Sequence, residues 1–66
     1  MKLKYFPDTD TLLLTLTDAK IAETKDLNEN VLIDLDKKGK VVSVTIEHAS
    51  QQKEGLDVSY QTVIST

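Results

Sequence analysis

Apolar residues recur at every second position through most of this chain, and that period limits what it can fold into. A period of two puts successive side chains on opposite faces of an extended strand, whereas a helix needs a repeat near 3.6. In KLKYF, Leu3 and Tyr5 share a face opposite Lys2 and Lys4. In TLLLTL, Leu12, Leu14 and Leu16 oppose Thr11, Leu13 and Thr15. In VLIDL, Val31, Ile33 and Leu35 oppose Leu32 and Asp34. In VVSVTIE, Val42, Val44 and Ile46 oppose Val41, Ser43, Thr45 and Glu47. Four segments therefore read as strands, each with one apolar face and one mixed face.

Turn chemistry pairs these strands. Pro7 presets φ in FPDTDT, and Gly39 supplies a left-handed residue in LDKKGK, where Asp36 caps the turn. A four-residue loop at Pro7–Asp10 sets Tyr5 opposite Leu12 and Leu3 opposite Leu14. A four-residue loop at Asp36–Gly39 sets Ile33 opposite Val42 and Val31 opposite Val44. A three-residue loop slips the register and sets Asp34 opposite Val42, exchanging the faces, so the pattern selects four residues. Between the hairpins, IAETKDL reads as a short edge strand and NEN as a turn. EHASQQKE holds helix formers and ends at Gly55, which predicts about two turns of helix. The tail LDVSYQTVIST alternates again, with Val58, Tyr60, Thr62 and Ile64 on one face. The expected fold is α+β: a small antiparallel β-meander of four to five strands with one short helix near the C-terminus. Residues 1–56 form one domain, and residues 57–66 form a tail that adds a strand.

Size makes association the expected device of stabilisation. A 66-residue chain buries only roughly 60% of its unfolded surface, so its core is thin. Small folds gain stability from disulfides, metals or partner subunits. With no cysteine and a single histidine, His48, disulfides and thiolate zinc sites are excluded and a histidine metal site is poorly supplied. No metal, cofactor or catalytic residue is expected. A net charge of −3 with scattered lysines argues against nucleic acid. No run approaches the roughly 20 apolar residues that span a bilayer. The expected location is the cytoplasm, in keeping with the absence of cysteine.

Asp34–Lys40, DLDKKGK, looks like the start of a calcium loop. Such a loop needs oxygen ligands at its first, third and fifth positions and a glutamate at the twelfth. Here Lys38 takes the fifth position and Thr45 the twelfth, so the stretch reads as a hairpin corner. On the mixed face, Leu13, Leu32 and Val41 form an apolar patch, the expected interaction surface. Asp34, Glu47 and His48 are the alternative, a small-molecule or metal site or a minor hydrolase. Glu47 and His48 are neighbours in sequence, however, and diverge on either a strand or a helix.

The run KLKYFPDTDTLLLTL, then AET, then VLIDLDKKGKVVSVTIEHAS resembles a small bacterial and archaeal family, domain of unknown function 2283, over about the first fifty residues. The residues that carry the resemblance are Tyr5, Asp10, Glu23, Thr24, Asp34, Asp36, Gly39, Ala49 and Ser50. Phe6, Leu13, Ser43 and Thr45 depart from the pattern, and Thr45 removes an acid from the mixed face. The resemblance implies no activity. The expected function is a non-enzymatic protein–protein interaction module, a homodimer or an antitoxin-like partner of another small protein.

Overall fold

The computed structural model describes residues 1–51. They form five strands: β1 (Lys2–Phe6), β2 (Thr11–Thr15), β3 (Glu23–Asn28), β4 (Val31–Leu35) and β5 (Val41–Glu47). All pair antiparallel in one sheet, in the order β1-β2-β5-β4-β3. The four segments of residues 1–51 read as strands from their alternation are strands, and so is the edge strand drawn from IAETKDL.

The order is not that of a meander. A meander places each strand beside the next, but β5 lies between β2 and β4. The chain leaving β2 must cross the ends of β5 and β4 to reach the far edge. It is held at both ends of the crossing. Leu16 and Thr17 N–H donate to Val42 C=O at 2.8 and 3.4 Å, and Ala22 N–H donates to Leu35 C=O at 2.8 Å. Alternation says which face a residue takes but not which strand lies beside it, because β1, β2, β4 and β5 all carry an apolar stripe.

The first hairpin has the expected register, Tyr5 opposite Leu12 and Leu3 opposite Leu14. The second does not. Asp36 N–H donates to Lys40 C=O at 2.9 Å, and Gly39 N–H donates to Asp36 C=O at 3.0 Å. The loop is therefore Lys37–Gly39, three residues, with Gly39 at φ 81°. A one-residue bulge at Val42 then corrects the ladder, which passes from Leu35↔Val41 to Asp34↔Ser43. Ile33 faces Val44 and Val31 faces Ile46, two residues from the expected pairing. Parity of the faces survives, because the short loop and the bulge each shift the ladder by one.

A single 3-10 turn, Ala49–Gln51, stands where a two-turn helix was expected, so the described residues are mostly β rather than α+β. Glu47 still belongs to β5, and His48 ends it with φ 54°. The turn's N–H groups then bond across the molecule, with Ala49 N–H donating to Asp10 C=O at 2.9 Å. Asp10 thus satisfies N–H groups at the start of the turn that have no partner within it. Residues 52–56 and the alternating tail of 57–66 lie outside the described residues.

Candidate functional site

Register assigns every strand residue to a face, since paired residues point to the same side. One face carries the rows Leu3–Leu14–Val44–Ile33–Lys25 and Tyr5–Leu12–Ile46–Val31–Asn28, apolar from β1 to β4 and polar at β3. Leu35 and the bulged Val42 extend it. Among the described residues, Val42, Ser43 and Ala49 are buried, at 3%, 5% and 4% exposure. Leu3, Tyr5 and Leu16 are exposed, and Leu12, Leu14, Val31, Ile33, Leu35, Val44 and Ile46 are half-buried. Neither a second sheet nor any helix beyond the 3-10 turn is present among the described residues to cover this face.

The other face carries two rows. Lys4–Leu13–Thr45–Leu32–Asp26 is the first. Leu13 and Leu32 sit on opposite sides of Thr45, two strand spacings or about 10 Å apart. Val41 does not join them: the bulge pairs it with Leu35, at the end of the sheet. The expected patch of Leu13, Leu32 and Val41 is thus three separated residues, while the opposite face is one continuous apolar surface.

The second row, Lys2–Thr15–Ser43–Asp34–Thr24, is polar. Within it Asp34 sits between two hydroxyls, those of Ser43 and Thr24. Thr24 Oγ1 donates to Asp34 Oδ1 at 2.6 Å, and Ser43 Oγ donates to Asp34 Oδ2 at 2.5 Å. Ser43 is buried, so its hydroxyl needs this acceptor. The acid ties three strands, β3, β4 and β5, on one face.

A second acid organises the far corner. Asp10 closes the first turn at φ 55°, a left-handed conformation that Asp tolerates better than most residues. Tyr5 Oη donates to Asp10 Oδ1 at 2.6 Å. Ser50 donates twice, its N–H to Oδ1 at 3.1 Å and its Oγ to Oδ2 at 2.8 Å. The Tyr5 bond, then those of Ser50, hold the Asp10 carboxyl below the usual range. The same bond raises the Tyr5 phenol, because ionising it would surrender the donated proton and leave two like charges together.

The alternative trio does not converge. Glu47 lies four residues along β5 from Ser43, the partner of Asp34, and so about 13 Å away. His48 Nδ1 is 3.1 Å from Asn30 Oδ1, off the end of the sheet. No group of three metal-ligating side chains occurs among the described residues. Asp36 caps its own turn, with its Oδ1 accepting from Lys38 N–H at 2.8 Å and Lys40 N–H at 2.9 Å.

Sequence reasoning took Asp10 for a turn residue and missed its bonds to Ser50, 40 positions away. No local pattern carries that contact.

These features define a class: a small all-antiparallel five-stranded sheet protein whose two acids, Asp10 and Asp34, brace the sheet from opposite ends. The chain belongs to the family described as protein of unknown function (DUF2283), whose model matches residues 2–50. No curated protein and no solved structure matches the chain. Tyr5, Asp10, Ala49 and Ser50, among the residues that carried the resemblance, meet at one corner. Thr24 and Asp34 meet on the polar row, and Asp36 and Gly39 shape the second turn.

Proposed function

We propose that this protein is a non-enzymatic association module, and that its continuous apolar face docks against the same face of a second copy. The observation that carries the reading is the run of half-buried aliphatics across β2, β5 and β4, continued by exposed Leu3 and Tyr5 on β1, with no described element laid over it. A sheet with one apolar face needs a second layer, and two such faces stacked about 10 Å apart make one.

Area and edges favour a second copy. The four strands that carry the apolar residues, at about five residues each, give a face of ~330 Å² in projection. Two faces bring together ~650 Å² in projection, and the larger accessible area of interdigitating side chains brings this toward the ~1,000 Å² of a specific interface. The sheet edges are poorly suited to adding a strand. β1 carries Lys2 and Lys4, and β3 carries Glu23, Lys25 and Asp26 with a bulge at Leu27. Association in the plane of the sheet is thereby disfavoured, and the open face remains. The proposed location is the cytoplasm, a reading supported by the absence of cysteine. No helix among the described residues is long and apolar enough to cross a membrane.

Light scattering on the full chain across a dilution series tests the proposal. A mass of twice 7.4 kDa that falls on dilution is expected. A mass of 7.4 kDa at every concentration overturns it and leaves residues 52–66 or a different protein as the cover. A different protein would include an antitoxin-like role, recognised by stoichiometric co-purification of a second small chain in place of the dimer.

A further inference from the structure

A pocket of about 370 Å³ opens where the chain crosses from β2 to β3, between that crossing and the β4–β5 turn. Its lining is Ala19, Lys20, Ile21 and Ala22 on one side and Asp36, Lys37, Lys38 and Lys40 on the other. Topology makes this pocket. The crossing is held to Val42 at one end and to Leu35 at the other, and the turn beneath it is closed by Asp36. Both walls are therefore backbone-anchored, and the space between them is preformed.

Charge at this place runs against the rest of the molecule. Four lysines against one aspartate give the lining a formal +3. The other four lysines and ten acids of the chain give −6, within a total of −3. Asp36 offsets one of the four positive charges while its Oδ1 caps the turn, so a net positive lining remains. Among the described residues, none of the four lysine side chains is in an ion pair or hydrogen bond. Holding unpaired like charges together is unfavourable, and an anion removes the penalty. Ala19, Ile21 and Ala22 supply an apolar wall beside the ammonium groups, and Ile21 is 48% exposed. Pockets of this volume suit small organic molecules, and an inorganic oxyanion would leave the apolar wall wet.

The geometry points to a binding site for a small amphiphilic organic anion, a carboxylate on a short apolar body. The ammonium groups of Lys20, Lys37, Lys38 and Lys40 take its head, and Ile21 with its neighbouring alanines takes its chain. Lysine presents a point charge rather than a planar fork, so the site selects charge and an apolar tail rather than one headgroup geometry. Because the head is held near solvent, salt weakens binding. The site shares no residue with the apolar face, so either proposal can fail without the other.

Amide chemical shifts of the full chain, titrated with octanoate, octanol and inorganic phosphate, test it. Octanoate is expected to move the amides of residues 19–22 and 37–40 along one saturable curve. A Lys20→Gln/Lys38→Gln variant, altered at two exposed positions, is expected to keep its melting temperature and lose the saturation. Added salt is expected to weaken octanoate binding in the unaltered chain. Absence of saturable shifts with octanoate overturns the site. So does an equal response to octanol, since the lysines would then have no role. Phosphate binding as tightly as octanoate overturns the amphiphile, because the apolar wall would add nothing. Shifts confined to Leu12, Leu14 and Ile33 would show adsorption to the apolar face and overturn it as well.

Discussion

Asp10 and Asp34 do related work with different reach. Each carboxylate accepts through both oxygens, Asp34 from Thr24 and Ser43 and Asp10 from nearby Tyr5 and distant Ser50. Their loss should be felt differently. Asp34→Ala strands the buried Ser43 hydroxyl, and an unsatisfied buried group costs about 1–3 kcal/mol. Urea unfolding should show that loss, and Asp34→Ala/Ser43→Ala should recover part of it because the orphaned donor is gone. Asp10 acts through charge as well. Its folded carboxyl titrates below the unfolded one, so its contribution is present above the unfolded value near pH ~4 and is lost as pH falls through the folded value. The Tyr5 phenol is raised, so its contribution is present below about pH 10 and is lost as pH rises through the folded value. Melting temperature followed from neutral to acid pH should fall in the unaltered protein. In Asp10→Asn it should start lower at neutral pH and change less across the acid range. Parallel acid profiles for the two proteins would remove Asp10 from this role.

At the scale of elements, the β4–β5 hairpin departs most from simple pattern reading. Its alternation is compatible with several loop lengths that preserve parity, and the bulge at Val42 allows one more. The loop is set by Asp36, which caps three-residue closure through Lys38 and Lys40, and by Gly39 in the left-handed region. An added Cβ at Gly39 meets nothing within 4 Å, so substitution there tests backbone strain without crowding. Gly39→Ala should cost about 1 kcal/mol in chemical denaturation, and Gly39→Asn less, since Asn tolerates that conformation. Equal stability of all three would mean that the loop relaxes to another turn. The 3-10 turn is fixed to the first turn, because Ala49 and Ser50 N–H, which have no partner within it, both donate to Asp10.

For the whole molecule, the decisive fact is that a five-stranded sheet leaves its aliphatic face half-exposed among the described residues. Leu14, Val44 and Ile33 lie in one row across the three middle strands, at the centre of that face. Leu14→Lys places a charge where the second copy is proposed to sit. Because lysine can snorkel from a half-exposed site, the chain should remain folded while the dimer dissociates. Sedimentation should then give the monomer mass, with a β-sheet circular dichroism spectrum retained. A dimer as tight as the original would place the interface elsewhere. Should Leu14→Lys fail to fold, Leu3→Lys at the exposed rim gives the same reading with less strain on the sheet. Val42 is different in kind. It is buried within the chain, so Val42→Ala should cost about 2 kcal/mol whatever the oligomeric state.

The amino-acid sequence by itself determined that this chain is built of strands, which residues of each strand share a face, where the turns lie, and which residues mark the family. Each of these is a local property, written in a period of two, a Pro or Gly at a corner, or a short ordered motif. Only the tertiary structure decided that β5 sits between β2 and β4, that a bulge offsets the three-residue loop, and that Asp10 braces Ser50. It also separated Leu13, Leu32 and Val41 and left the opposite face continuous, and it brought Lys20 to the lysines of a turn 17 residues further on. These depend on which strands become neighbours. Four strands with the same apolar stripe and one polar strand can be ordered in several ways, and the choice rests on long-range bonds and closure that no single segment encodes.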